Sequence, residues 1–216
     1  MKLKALFLNC TLKYSPETSN TKAFIEKSAA IFKDLNVATE IVRITDYHIK
    51  FGTSSDEGPE DDWPFIFNKI KETDIFIMAT PVWRGDRSSV AKLVAERLDG
   101  LFEDKKDKNE QYPTYNKVAG VLVDGNEDGA KKAISSILFD LAEHGFTLAV
   151  NSFSYYVGKA GPGPSYIKAK GDKHEFTNNM LLIMAQNMVH LASVLKENPY
   201  RINLSSVKKK AAEISN

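Results

Sequence analysis

The sequence is poor in cysteine and in net charge of either sign. Cys10 is the only cysteine among 216 residues, which excludes an intrachain disulfide and a cysteine-based zinc or iron–sulfur centre. The 29 lysines and arginines nearly balance the 28 aspartates and glutamates. A dedicated nucleic-acid-binding protein needs a basic excess, so we expect no nucleic-acid partner. The four histidines show no paired ligand spacing, and we expect no metal site.

Long hydrophobic runs are also missing. The most apolar later stretch, residues 180–195, contains four polar residues and falls short of the roughly 20 residues that a membrane span needs. The amino-terminal apolar run is short, contains Lys4 and has no small-residue cleavage site after it, so we do not expect it to be a signal peptide. We therefore expect a soluble, cytoplasmic protein without a membrane partner, and the single cysteine agrees with a reducing compartment.

Five apolar runs alternate with helical patterns along the chain. This order predicts an α/β fold with a doubly wound parallel sheet and helices on both faces. At about 150 residues per domain, the length predicts a single domain, residues 1–199, followed by a polar tail, residues 200–216. The predicted strands are Leu3–Asn9, Val37–Ile44, Asp74–Ala79, Lys117–Val123 and Thr147–Phe153.

Ligands of doubly wound sheets bind beyond the carboxyl ends of the strands, and hydroxyl-rich residues follow the first strand. A helix amino terminus with short hydroxyl side chains suits a phosphate. Neither the P-loop nor the dinucleotide-binding pattern occurs there. An alternative is that these residues only cap the helix and close the turn. The candidate phosphate-binding residues are Thr11, Lys13, Ser19, Asn20 and Thr21.

The loop after the third strand, residues 80–89, contains an aromatic residue outside any apolar stripe. Trp83 at the mouth of the sheet is a candidate platform for a flat ring, and Gly85 would let the backbone approach a ligand closely. The alternative is that Trp83 covers the end of the core, as a lone tryptophan often does.

The loop after the fourth strand, residues 124–129, combines two glycines with Asn126. It can present backbone amides and an amide side chain to a ligand. The alternative is an ordinary turn followed by a helix capped by Asp128. Taken together, the three loops describe a site for an anionic tail joined to a planar polar ring.

Two motifs carry a resemblance to a known family. N-C-T-L-K at residues 9–13 and S-N-T at residues 19–21 follow the first strand, and T-P-V-W-R-G at residues 80–85 follows the third. Over roughly residues 1–155 the sequence resembles the NADPH-dependent FMN reductase branch of the flavodoxin-like superfamily. The resemblance implies a three-layer sandwich whose five-stranded parallel sheet has the order 2-1-3-4-5.

The resemblance further implies FMN as the bound cofactor and NAD(P)H as the electron donor. The phosphate would be held by the five residues of the first loop named above. Hydride transfer between stacked rings needs no general acid or base, so no catalytic side chain is assigned. The isoalloxazine would be lined by Pro81, Val82, Trp83, Arg84 and Gly85, and its pyrimidine side would be bordered by Gly125, Asn126 and Gly129.

The activity implied is an NAD(P)H oxidoreductase that passes electrons through FMN to a flavin, a quinone or another small acceptor. We hypothesise that Arg84 or Arg87 stabilises the reduced flavin or contacts the phosphate of the nicotinamide cofactor. Sites in this family are often completed by a second subunit, so a homodimer is expected.

Two other functions are compatible with the same fold. One is a non-enzymatic electron carrier of the flavodoxin type, and the other is a flavin-free binding module. A net charge of +1 argues against the carrier, because steering toward a redox partner uses a large charge imbalance. A phosphoacceptor receiver is disfavoured, because the first strand ends in Asn9 and Cys10 instead of paired acids.

Overall fold

A computed structural model describes residues 2–159, 161 and 163–215. Its centre is a sheet of five parallel strands, and a short sixth strand pairs with the carboxyl end of the middle strand. The described residues form six α-helices, five of which pack against the sheet, and three short 3-10 helices at Ile44–Asp46, Leu98–Phe102 and Gly171–Lys173. The strands are β1 (Lys4–Asn9), β2 (Ala38–Arg43), β3 (Ile75–Trp83), β4 (Asp86–Arg87), β5 (Val118–Gly125) and β6 (Thr147–Val157). The helices are α1 (Asn20–Asp34), α2 (Trp63–Glu72), α3 (Ser89–Arg97), α4 (Ala130–Glu143), α5 (Glu175–Glu197) and α6 (Leu204–Ile214).

The sheet order is β2-β1-β3-β5-β6, and every neighbouring pair along it is parallel. Counting only the parallel strands, this is the predicted order 2-1-3-4-5, so the predicted fold class is confirmed. The sixth strand, β4, pairs antiparallel with the end of β3 and was not predicted.

Helices cover both faces of the sheet, which gives two separate cores. On one face, α1 and α5 bury side chains such as Phe24, Phe32 and Met188 against the sheet. On the other face, α2, α3 and α4 do the same with side chains such as Ile66 and Ile137. The central strands β1, β3 and β5 bury nearly every side chain, which is why their sequences are continuous apolar runs.

Three strands run further at their carboxyl ends than predicted. The predicted ends were Ala79, Val123 and Phe153, whereas β3, β5 and β6 continue to residues 83, 125 and 157. The extra residues remain paired, since Pro81 lies opposite Asp124 on the adjacent strand. The predicted strands are too short because pairing with neighbouring strands holds polar residues and proline at the strand ends. A local sequence pattern contains no information on that pairing.

Because β3 extends to residue 83, the predicted loop of residues 80–89 contains a tight hairpin. Trp83 pairs with Asp86 across the two-residue turn of Arg84 and Gly85, and both turn residues have positive φ values of 52° and 78°. Positive φ at both positions is typical of a type I′ turn. The carboxylate of Glu127 accepts the backbone N–H of Arg84 at 3.0 Å and steadies this conformation.

One helix cap and one whole helix also differ from the predictions. Asp128 does not cap α4; the cap position is Gly129, whose φ of 123° explains why glycine stands there. The polar tail contains α6, which was not predicted. None of the described side chains of α6 is buried, and Asn203 caps its first turn through the backbone N–H of Ser206 at 2.9 Å. The domain boundary near residue 199 stays a prediction.

A buried ion pair holds the long segment between β2 and α2. The guanidinium of Arg97 donates to the carboxylate of Asp61 at 2.7 Å, and both side chains are completely buried. The same guanidinium donates to the carbonyl oxygens of Lys50 and Ser54. One charged side chain thus anchors a segment that has no α-helix or strand of its own.

Within the described part of the chain, the helices are too short or too polar to cross a membrane. No group of three or more histidine, cysteine, aspartate or glutamate side chains among these residues could hold a metal ion.

Candidate functional site

The amino terminus of α1 lies at the carboxyl edge of the sheet and presents open backbone donors. The Ser19 hydroxyl accepts the N–H of Lys22 at 3.0 Å and caps the helix. The predicted capping alternative is therefore correct for this one side chain. No described residue accepts the N–H of Asn20 or Thr21, and such first-turn amides bind anions readily.

Two further residues of the first loop, Thr11 and Lys13, make hydrogen bonds within the loop. The backbone N–H of Thr11 donates to the side chain of Asn9 at 3.2 Å. The ammonium of Lys13 donates to the carbonyl oxygen of Thr18 at 3.0 Å and closes the loop on itself. The Asp46 carboxylate accepts both the N–H and the hydroxyl of Ser15, at 2.8 and 2.7 Å, which joins this loop to the segment anchored by Arg97.

The β3–β4 hairpin and the third loop are in direct contact. A Cβ atom at Gly129 would lie 2.4 Å from the backbone of Gly85, and one at Gly125 would lie 3.0 Å from the side chain of Val82. Glycine is therefore required at residue 129 for the two loops to meet. Trp83 is 52% exposed on the hairpin, so it does not cover the core, and its indole is available to a flat ring.

Two predicted residues, Asn126 and Asn20, hold the segment that follows β6. The side-chain amide of Asn126 donates to the carbonyl oxygen of Gly163 at 2.8 Å. The side-chain oxygen of Asn20 accepts the N–H of Ile167 at 3.0 Å. The Gly- and Pro-rich segment after β6 is thus tied to the first and third loops. These partners are remote in sequence, so no local pattern reveals the two contacts.

Of Arg84 and Arg87, only one has a guanidinium group that is free of described partners and can contact a ligand. The guanidinium of Arg87 is ion-paired with Asp140 on α4, and both side chains are largely buried. Arg84 is exposed, and no described residue accepts a hydrogen bond from its guanidinium. Only Arg84 can therefore approach a ligand without breaking an existing pair.

A buried carboxyl group that sequence reasoning did not single out lies at the same edge. Asp124, at the end of β5, is 3% exposed, and burial raises its pKa from 3.8 to about 7 although the nearby Thr21 side chain acts to lower the pKa. Its Oδ1 atom has no partner in the described chain, and neither has the hydroxyl of the nearby Tyr166. Burial, aided by Asp172 and Asp124, raises the pKa of Tyr166.

The order of the parallel strands, with helices on both faces of the sheet, first defines the fold class: the chain has a flavodoxin-like fold. A solved flavodoxin from the domain Archaea superposes with a TM-score of 0.53 at 14% identity, covering 87% of this chain and 100% of that one. The model of the NADPH-dependent FMN reductase family then matches residues 3–161. The chain belongs to this family, as the sequence motifs predicted.

One sequence comparison and one structural comparison match nearly the whole chain. The 8-demethyl-8-aminoriboflavin-5′-phosphate synthase of Streptomyces davaonensis is 38% identical over 224 residues, which covers 100% of this chain and 87% of that enzyme. A crystal structure of RosB with the bound intermediate 8-demethyl-8-formylriboflavin-5′-phosphate superposes with a TM-score of 0.92 at 37% identity, covering 99% of this chain and 88% of that one. The relatives are flavin-processing enzymes, and the family is one of FMN-binding oxidoreductases.

The residues at this edge suit FMN. Open first-turn amides match a phosphate, the exposed indole matches an isoalloxazine, and Gly129 leaves room only for backbone between the two loops that would border the ring. The buried atoms without partners, Asp124 Oδ1 and Tyr166 Oη, add polar groups near the same helix terminus.

Proposed function

We propose that this protein binds FMN at the carboxyl edge of the sheet and passes electrons from NAD(P)H to a flavin, a quinone or another small acceptor. The observation that supports this most is the open amino terminus of α1, where the amides of Asn20 and Thr21 have no acceptor in the described chain. The proposal retains the cytoplasmic location expected from the composition and the homodimer that the resemblance implies.

Each loop has a separate task in this proposal. The first-turn amides of α1 hold the phosphate, while Thr11, Lys13 and Ser19 keep the first loop in shape through the contacts described above. Residues 81–85 line one side of the isoalloxazine, and Gly125, Asn126 and Gly129 border its pyrimidine side. When bound, FMN supplies the hydride chemistry, and the chain supplies binding, orientation and charge.

Arg84→Ala is expected to raise the KM for NADPH, or to lower the midpoint potential of the bound flavin, while the fold is retained. The exposed Arg84 guanidinium is the cation at this edge that remains available, and a cation stabilises either a nicotinamide phosphate or a reduced, anionic flavin. Loss of one charge-assisted contact corresponds to an effect of about 10-fold. Steady-state kinetics and a spectroelectrochemical titration measure the two quantities.

Arg87→Ala is the matched comparison, because its guanidinium is already paired with Asp140. It should lower the melting temperature more than Arg84→Ala does and leave both functional quantities closer to their wild-type values. An Arg84→Ala enzyme with unchanged KM and unchanged potential would remove this residue from the proposal.

A second candidate function is that FMN is the substrate. The relative's name describes FMN with an amino group in place of the C8 methyl, and the RosB intermediate carries a formyl group there. The observation in its favour is the extent of the similarity, 38% identity over the whole chain and a TM-score of 0.92. In that case FMN would be chemically changed and released, not regenerated.

One experiment separates these functions. Purified protein is mixed with FMN, its visible spectrum is recorded, NADPH is added without oxygen, and the flavin is then analysed by mass spectrometry. Rapid bleaching with FMN recovered intact on reoxidation supports the reductase. A flavin of altered mass after incubation in air supports the substrate role. Binding without reduction or modification leaves the carrier, and no binding at high micromolar FMN overturns the proposal.

A further inference from the structure

The carboxyl group of Asp124 lies beneath the first turn of α1 and has an incomplete set of hydrogen bonds. The residue is 3% exposed, and its Oδ1 atom has no partner in the described chain. We propose that Asp124 takes up a proton when the phosphate of FMN binds at the amino terminus of α1, so that this buried carboxyl makes flavin affinity pH-dependent. The inference rests on the FMN binding proposed above and adds a regulation of that site.

Thr21 connects the two sites. It stands in the first turn of α1, where its N–H has no described acceptor, and its side chain is close enough to the Asp124 carboxyl to act to lower the pKa of that group. An anion on this turn would therefore lie one residue away from a buried carboxylate. Two negative charges this close repel each other strongly away from water, and a proton on the carboxyl relieves that repulsion.

The positive charges of the described chain do little to stabilise the ionised form of Asp124. Among the described residues, no lysine or arginine contributes to lowering its pKa; only the Thr21 side chain and the backbone N–H of Asp124 itself do so. The adjacent strand β3 places Pro81 opposite it. The titratable groups on the other elements packed around it are Tyr156 on β6, Tyr166 and Asp172 in the following segment, and His174 at the start of α5, whose ring lies 5.5 Å from that of Tyr156.

The direction of the pH dependence follows from burial. Without ligand, the pKa of about 7 leaves the carboxyl roughly half protonated at neutral pH. A nearby phosphate raises the pKa further, so the complex holds the proton at pH values where the free protein has released it. Binding then takes up protons, and affinity must fall as the pH rises above 7.

The dissociation constant for FMN is measured at pH 7 and pH 8.5 by quenching of flavin fluorescence. We expect it to increase about 10-fold in the wild-type protein, as uptake of close to one proton requires. The second pKa of a phosphate is about 6, so titration of FMN itself lies below this window. Asp124→Asn should show less than a 2-fold change, about what a site without this proton would give. Asp74→Asn, at the opposite edge of the sheet, should keep the wild-type dependence.

Calorimetry of the wild-type protein gives a second measurement that needs no variant. FMN is titrated at pH 8 in two buffers with different heats of ionisation, and the difference reports the protons taken up per FMN bound. Uptake approaching one proton supports the inference. Binding of FMN without proton uptake, or an Asp124→Asn variant with the wild-type pH dependence, overturns it while leaving FMN binding intact. Absence of FMN binding at either pH overturns the proposed function and this inference together.

Discussion

Asp124→Asn is expected to stabilise the FMN-free protein at pH 8 by up to about 4 kcal/mol. Burial raises the pKa of this carboxyl from 3.8 to about 7, and each pKa unit corresponds to about 1.4 kcal/mol between the folded and unfolded states. Asparagine has nearly the same shape, so it removes the buried charge while the packing against α1 is kept. The expected value is an upper limit, because the new amide also needs hydrogen-bond partners.

The contribution of Asp124 to stability can be measured by following the free energy of unfolding across pH. Between pH 3.8 and pH 7 the folded protein keeps the Asp124 proton that the unfolded chain has released, so the free energy of unfolding falls as pH rises and levels off above 7. Urea unfolding at pH 4.5, 6 and 8 should show this decline in the wild-type protein and a much shallower one in Asp124→Asn. Asp74→Asn should retain the decline. Parallel pH profiles for wild type and Asp124→Asn would show that this carboxyl titrates normally.

Arg97→Met is expected to lower the free energy of unfolding by about 3–5 kcal/mol. The variant leaves the carboxylate of Asp61 completely buried and without its cation, and breaking a buried pair from one side has this cost. It also removes the donors to the carbonyl oxygens of Lys50 and Ser54. Urea unfolding measures the loss, and limited proteolysis should show new cleavage within residues 50–61.

The same pair predicts a weakening at strongly acidic pH. Burial acts to raise the pKa of Asp61, but Arg97 and three backbone N–H groups outweigh it and lower the pKa to about 2. The stabilisation is therefore complete above pH 3.8 and is lost as pH falls toward 2. Glu96→Gln is the control, because Glu96 pairs with Lys92 at 3.4 Å on the surface and should change stability by less than about 0.5 kcal/mol. A loss below 1 kcal/mol in Arg97→Met would contradict the assignment.

The buried pair of Arg97 and Asp61 is also connected to the first loop at the carboxyl edge of the sheet. The segment anchored by Arg97 contains Asp46 at its start, whose carboxylate holds the first loop through Ser15. Order in this segment therefore supports order in the first loop, which we propose to hold the phosphate. The long segment before α2 is thus connected to the proposed function although it contributes none of the predicted binding residues.

The sequence predicted which edge of the molecule would carry the site, and the reason is local. Continuous apolar runs identify strands buried on both faces, and polar residues that follow them must lie at the strand ends. Ser19 and Trp83 illustrate how far this goes. The sequence offered two alternatives for each, and the structure chose a cap for the Ser19 hydroxyl and an exposed position for the Trp83 indole.

What the sequence by itself determined is therefore the order of the five parallel strands in the sheet, the three candidate loops and the family. The tertiary structure alone decided which side chains in those loops are already engaged, as Asn20 and Asn126 are with the segment after β6. It alone revealed Asp124 as a buried carboxyl beneath α1. Periodicity depends on neighbours along the chain, whereas hydrogen-bond partners and the pKa of a carboxyl depend on residues brought from distant positions, and no local pattern contains them.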